Sequence, residues 1–365
     1  MKHLKSCALA ASVLLSISGP ASAEEKQVNI LTWAGIYSDK VLGDFTAQTG
    51  NTTKFDASDS DDMVETKLLA GASGYDITTA PAVPNLSRLI KAGAVLPLDT
   101  SKITNLSKQD PALLEILKTS DPEANHGIIT AWGTVGLAVN LGKVTERLAD
   151  VPTDSYDLLF NPENAKRLSD CGIAMVDSPS DAVPVILNYL KLDPNSESLE
   201  DLDRAMQVLA AIKPYVRYLD STKYLDDLAN GNLCLAFGWS GDVMIASQRA
   251  AEAKNGQDIK YVLPVEGTQA WMTAMVIPAG APHVEAAHAF LNYMLDPKTA
   301  AQITVDSGFA SAVPESKALL PKEMAENPAL YPSESQMKSL FLVKIASDKY
   351  LRLRNRAWTN FKTGN

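Results

Sequence analysis

Histidine and cysteine are scarce in this chain, with 4 and 3 among 365 residues, and that scarcity removes most of the ways a protein performs covalent or metal chemistry. Outside the N-terminal segment discussed below, the histidines are His126, His283 and His288, and none has metal-ligand or triad-like neighbours. His283 and His288 are five apart, so they do not stack on one helical face as i, i+4 ligands would. No GxSxG, Walker or GxGxxG motif occurs, which sets aside the common signatures of hydrolases, nucleotide triphosphatases and dinucleotide enzymes. Internal repeats, low-complexity tracts and Gly/Pro-rich linkers are also absent, and after the first residues no apolar run is long enough to span a bilayer. Acids are plentiful, but "DSDD" at Asp59 to Asp62 reads as an acidic helix start, favourable to the helix dipole.

What is present begins with a basic start, "MKHLKS", an apolar run too short to cross a membrane, "CALAASVLLSIS", and "ASA" before Glu24. This is the pattern of a secretory signal peptide over residues 1–23, cleaved near Ala23. Cys7 stands at the start of the apolar run, not at its cleavage end, so the usual position of a lipid-anchoring cysteine is not used. Cleavage would remove Lys2 and Lys5 and no acid, leaving 31 basic against 43 acidic residues, a net charge of −12. An acidic surface argues against nucleic acid and anionic membranes and is compatible with cationic ligands. Cys171 and Cys234 would remain as an even pair in an oxidising compartment, where one disulfide is expected, contributing about 3 to 5 kcal/mol. Two buried free thiols are the alternative.

Strand-like and helix-like runs alternate: "QVNILTW" then "DKVLGDFTAQTG", "TTKFDAS" then "DMVETKLLAG", "YDITTA" then "PNLSRLIKAG". Each helical run closes on a glycine, Gly50, Gly71 or Gly93, where a left-handed C-terminal cap is expected. Such units imply a mainly parallel sheet flanked by helices, with ligands beyond the carboxyl ends of strands. A second alternating block holds "VGLAVN", "CGIAMVD", "NLCLAFGWSG" and "DIKYVLP" as strands and "LDRAMQVLAAI" as an amphipathic helix. The tail, including Ser335 to Lys362, is helical in period.

Tryptophan and acid recur at presumed strand ends. Trp33 ends "NILTW"; Trp239 and Asp242 lie in "GWSGD" after "LCLAF"; Asp181 follows "MVDSPS"; Trp271 lies in "TQAWMTAM". Aromatic faces attract ammonium groups by roughly 0.5 to 2 kcal/mol, and a carboxylate adds a charge-assisted hydrogen bond. Taken singly, each tryptophan reads as packing, each aspartate as a helix N-cap, and Phe309 in "SGFASAVP" as a loop anchor. Their joint occurrence carries the functional reading, an amine-binding cage.

"YLDDLANGNLCLAFGWSGDVMIASQRAAEAKNG", from Tyr224 to Gly256, resembles the periplasmic polyamine-binding proteins of ABC importers, especially the putrescine-binding branch. "AWGTVGLAVN" from Ala131, "LNYLKLDPNS" from Leu187, "ENPALYP" from Glu326 and "RAWTNFKTG" from Arg356 extend the resemblance over essentially the whole chain after the leader. It implies a two-lobed α/β periplasmic solute-binding fold, each lobe a mixed, mainly parallel sheet flanked by helices, with the ligand cleft between lobes. Residues 24–134 and about 262–312 would form lobe 1, and about 135–261 with 313–365 lobe 2. It further implies a monomer without cofactor, metal or enzymatic step, which closes on its ligand and docks on a membrane permease.

Carried over by position, Trp33 and Trp239 match aromatics that sandwich the ligand's methylene chain, and Asp181 and Asp242 match acids that receive ammonium ends. Asp181 stands where the putrescine branch has Glu, Trp271 where that branch has Phe and the spermidine branch Trp, and Phe309 where the family has Tyr. Ala34, Gly35 and Ile36 replace a Ser-Asp-Tyr pattern, Ala82 replaces a serine, and Thr273 replaces an acid. Two carboxylates are lost. If Asp181 and Asp242 lie at opposite ends, they serve a putrescine-like diamine or spermidine. If they share an end, the other is neutral and suits a monocationic or zwitterionic amine such as 4-aminobutyrate, 5-aminovalerate or an acylated polyamine. Tyr37 or Asp59 would be candidates to compensate, and Arg249 or Arg88 in the cleft would favour a zwitterion. A hydrolase or lyase on this architecture, and a ligand-sensing signalling module, are the readings from other classes.

Overall fold

A computed structural model describes residues 26–33, 35–58, 61–71 and 73–364, with the Asp62 side chain set aside; the expected leader, Ala34 and Asp59 lie outside the described residues. The strands are β1 (Gln27–Trp33), β2 (Thr52–Ser58), β3 (Ile77–Pro81), β4 (Gly127–Asn140), β5 (Ile173–Met175), β6 (Tyr218–Leu219), β7 (Leu235–Trp239), β8 (Ile259–Val262), β9 (Gln269–Val276), β10 (Ala310–Ser311) and β11 (Phe341–Leu342). They hydrogen-bond in the order β2-β1-β3-β9-β4-β7-β5-β6, with β8 and β10 also on β4 and β11 on β9. The flanks, β2-β1-β3 and β7-β5-β6, are parallel, whereas β9 and β4 run antiparallel to their neighbours in that order.

Along β1, Val28 and Ile30 point into one core while Leu31 points into another, as the two-residue period of a strand requires. The first of these cores holds Phe45, Phe290 and Leu291 and the second Val64, Leu68, Leu86 and Leu89, so helices cover both sheet faces. Sheets buried on both faces show near-continuous apolar strands, and β4 has eleven buried residues of fourteen. A third core, from Val135 to Phe361, includes Tyr156, Phe237, Ile186 and Trp358.

The long strand β4 joins these regions. Gly127 to Thr134 pair with β9, and Val135 to Asn140 pair with β7 and β8, so one uninterrupted strand serves both lobes. The fold is thus a two-lobed α/β architecture whose chain crosses between lobes within strands.

Gly50 caps helix Asp39–Thr49 at φ 72°, and Ser38 caps its start. Cys171 and Cys234 form a disulfide with Cα atoms 5.5 Å apart. The tail departs from the continuous helix expected over Ser335 to Lys362. A short helix, Glu334–Ser339, stops before β11, which pairs with Gln269 and Ala270, and a new helix, Asp348–Thr363, starts at the Ser347 cap. Sheet pairing satisfies the backbone of Phe341 and Leu342, and so overrides a weak helical period.

Candidate ligand site

The site is built on the crossing of β7, β4 and β9. Trp239 ends β7 opposite Val135, and Trp271 on β9 lies opposite Gly133. Residues 133 and 135 share a face of β4, so the two indoles stand diagonally on one face. Gly133 makes this possible: a Cβ there would come within 2.6 Å of the Trp271 ring. Phe309 meets Trp271 edge to face at 4.8 Å, and its ring occupies the space beside Gly241, where a Cβ would lie 2.3 Å from it. Trp239, Gly241, Trp271 and Phe309 are therefore one packed unit.

Asp181 joins it from the first turn of helix Pro179–Tyr189. It is 8% exposed, its Oδ2 accepts from the Trp239 indole Nε1 at 3.2 Å, and its Oδ1 accepts from Gln269 Nε2 at 2.8 Å. Burial pushes its carboxyl above the usual range; hydrogen bonds from Ser178, Trp239 and Gln269 and the charge of Arg354 oppose that shift. Asp181 occupies the third helical position, not the N-cap. The cap position belongs to Ser178.

Asp242 likewise stands third in helix Ser240–Ala253, with Trp239 at the cap. Its Oδ2 accepts from the Tyr224 hydroxyl at 2.7 Å, and the same hydroxyl accepts from the Trp239 backbone N–H at 3.3 Å. Burial raises the Asp242 carboxyl to about 6, partly offset by Tyr224 and Arg249. A carboxylate poorly hydrated and short of cations is one that gains from an ammonium.

Tyr224 and Gln269 were missed as site residues by sequence reasoning. Tyr224 opens the segment that carries the family resemblance, and Gln269 lies two residues before Trp271, on the same strand face; that spacing was the available signal. Gln269 Oε1 and Trp271 Nε1 are buried without a hydrogen-bond partner. The first leaves an acceptor on the amide that donates to Asp181, and the second a donor on the indole that packs against Phe309.

Trp33 is held by other atoms. It ends β1 opposite Ser58, and its Nε1 donates to Asp61 Oδ1 at 3.2 Å, Asp61 being the first residue of helix Asp61–Leu69. Thr273, half-buried, pairs with Pro81 at the end of β3 and with Ala131. Ala82 is fully buried, its N–H bonded to the Met272 carbonyl. Gly35 follows with φ 77°. Tyr37 does not compensate for lost polar groups: its ring packs edge to face on Phe55 and Phe290 in the apolar core. Two arginines reach this set through their charge: Arg354, largely buried, acts on Asp181, and Arg249 acts on Asp242. Arg249 pairs with Asp226 at the surface, and Arg88 pairs with Glu65. The histidines do structural work: His283 bonds Asp76, His126 bonds Asp121, and His288 accepts from the Asp99 N–H.

Lobes joined by a shared strand, with aromatic and carboxylate side chains gathered at that crossing, define a solute-binding protein. The chain belongs to the bacterial extracellular solute-binding protein family, whose pattern spans residues 40–332. It is 37% identical to the putrescine-binding periplasmic protein PotF of Escherichia coli (strain K12), covering 98% of this chain and 97% of that one. It is 38% identical to the putrescine-binding periplasmic protein SpuD of Pseudomonas aeruginosa (strain UCBPP-PA14), with full coverage of both. Among solved structures, the spermidine/putrescine ABC transporter substrate-binding protein PotD of Streptococcus pneumoniae superposes with a TM-score of 0.76 at 25% identity, covering 92% of this chain and 98% of that one.

Proposed function

We propose that this protein binds a polyamine, a putrescine-like diamine or spermidine, between its lobes and delivers it to the permease of an ABC importer. The observation that carries this reading is the buried Asp181 carboxylate, held by the Trp239 indole and the Gln269 amide, with Asp242, whose carboxyl burial also raises, in the first turn of the helix that follows Trp239. The neutral donors orient the carboxylate without neutralising it, and the charge of Arg354 offsets part of the cost of its burial. Trp33, Trp239, Trp271 and Phe309 supply apolar and π surface for the methylene chain. Thr273 and Ala82 are assigned to the remaining wall, together with Ala34, which lies outside the described residues and is assigned by its position in the sequence alone. The binding step is a shift toward the closed state and requires no covalent chemistry.

A zwitterionic amine would require a cation for its carboxylate; Arg88 and Arg249 are engaged by Glu65 and Asp226, whereas the largely buried Arg354, whose charge acts on Asp181, is the observation that favours this second reading. The site of action on this reading is the periplasm, reached through a leader cleaved near Ala23, and the working unit is a monomer. Among the described residues no helix is long and apolar enough to cross a membrane.

Thermal-shift titration of refolded, ligand-free protein tests the assignment, with putrescine, cadaverine, spermidine, agmatine, 4-aminobutyrate and 5-aminovalerate as ligands. Ligands that bind only the native state raise the midpoint with concentration. A rise with at least one di- or polyamine is expected; no rise with any of them refutes the assignment. Uptake in a deletion strain separates transport from sensing.

A further inference from the structure

We propose that Gln269 touches the ligand: its side-chain carbonyl, together with the Asp181 carboxylate, forms a two-acceptor seat for one primary ammonium group. The inference rests on the amine-binding reading above and deepens it. It holds whether the far end of the ligand is a second ammonium or a carboxylate.

Gln269 opens β9, two residues before Trp271 and so on the same face of the strand. Direct contacts tie it to the site: Nε2 donates to Asp181 Oδ1 at 2.8 Å, and Asp181 Oδ2 in turn accepts from Trp239 Nε1 at 3.2 Å. The amide cannot be turned over, because an ionised carboxylate only accepts and the nitrogen must face it. Oε1 is carried by the same planar amide, so a donor that reaches Oε1 lies near Asp181 as well. The residue is 6% exposed, and Oε1 is buried without a hydrogen-bond partner.

The neighbouring donors leave this oxygen alone. The Trp239 indole and Ser178 bond the carboxylate, and Arg354 acts on Asp181 through its charge, yet none of them bonds Oε1. A buried acceptor next to an ionised carboxylate is unfavourable unless a donor serves both, and low local dielectric enlarges the penalty. A primary ammonium is such a donor, since its N–H groups point in several directions and bond a carboxylate oxygen and an amide oxygen together. A tertiary ammonium has a single N–H and satisfies one of the two acceptors; a quaternary one satisfies neither. The seat therefore selects a primary amine over its N-methylated counterparts, a discrimination that the charge of Asp181 alone does not make.

Two measurements on the refolded, ligand-free full chain test this, the probe being the tightest binder among putrescine, cadaverine, spermidine and 5-aminovalerate. In a crystal structure of the wild-type complex an ammonium nitrogen is expected about 2.7 to 3.2 Å from both Gln269 Oε1 and an Asp181 carboxylate oxygen; Oε1 bonded to water or to protein instead overturns the proposal. In calorimetric titration Gln269→Met, which keeps the length of the side chain and loses the amide, is expected to weaken binding about tenfold, the scale of one hydrogen bond to a charged group, and to do so equally at about pH 7 and about pH 9. A residue that only kept Asp181 ionised would show a loss that disappears at the higher pH, because alkali ionises that carboxyl without help. That result, or unchanged affinity, also overturns the proposal. A wild-type thermal midpoint in Gln269→Met shows that the fold is kept, and the wild-type complex decides alone if the variant does not fold. If wild type binds none of the four probes, the amine reading itself falls, a result distinct from these.

Discussion

Acidification from about pH 7.5 to about pH 5 should weaken ligand binding through Asp242. Its carboxyl sits at about 6 because burial outweighs the hydrogen bond from Tyr224 and the charge of Arg249. On that value the group is about 97% ionised at the higher pH and about 9% at the lower. A cationic ligand binds the ionised form, so apparent affinity falls about tenfold, about 1.4 kcal/mol, and each binding event near pH 5 releases about 0.9 proton. The ligand ammonium groups, titrating near 10, contribute nothing over this range. The stability effect has the opposite sign. Because the folded-state value is raised above the unfolded 3.8, the group's contribution to stability is fully present below about pH 4 and lost as pH rises through about 6, by up to about 3 kcal/mol. Asp242→Asn should therefore be more stable than wild type near neutrality, with the difference vanishing in acid, while binding diamine at least about tenfold more weakly. Isothermal titration in two buffers of different ionisation enthalpy measures affinity and proton release together. Affinity that is flat between these pH values, with no proton released, would refute the placement of Asp242 beside the ammonium.

Tyr224→Phe removes the donor that holds Asp242 ionised, so the acid limb of the affinity profile should move to higher pH; an unmoved limb would separate the two residues. Gly241→Ala would put a methyl group into the Phe309 ring, and overpacking of that kind costs about 1 to 3 kcal/mol, readable as a lower thermal midpoint together with weaker ligand binding. Replacing both Cys171 and Cys234 by Ser opens a link between residues 63 apart, for which the chain-entropy account gives a loss of about 4 kcal/mol. Urea unfolding of the double variant under non-reducing conditions measures it, and an unchanged midpoint would contradict that account.

Several features of this protein are local and could be read along the chain. The strand-and-helix alternation of the first eighty residues follows from hydrophobic period and from glycine caps, and β1, β2 and the Gly50 cap lie where those signals stand. Residue identity alone also marks tryptophan and aspartate near strand ends, which is what suggests an amine ligand. Strand β9 was not legible as a strand, because Thr273 is the one polar residue between Ala270 and Val276 and the run shows neither strand alternation nor a helical period. The break before Ser347 was equally hidden, since only the neighbouring edge of β9 gives Phe341 and Leu342 a reason to leave the helix.

The charge balance of the site was the part that local reading could not decide. Counting replacements along the chain leaves two acids and an apparently neutral wall beside Trp33. Folding adds Asp61 to Trp33 across 28 residues, joins Asp181 to Trp239 across 58 and to Gln269 across 88, and sends Tyr37 into the core. Sequence by itself determined the secondary-structure rhythm and the chemical class of the side chains, because those depend on neighbours a few residues away. Which carboxylate faces which indole depends on strand order and on the crossing of β4 between lobes, and only the tertiary structure sets those.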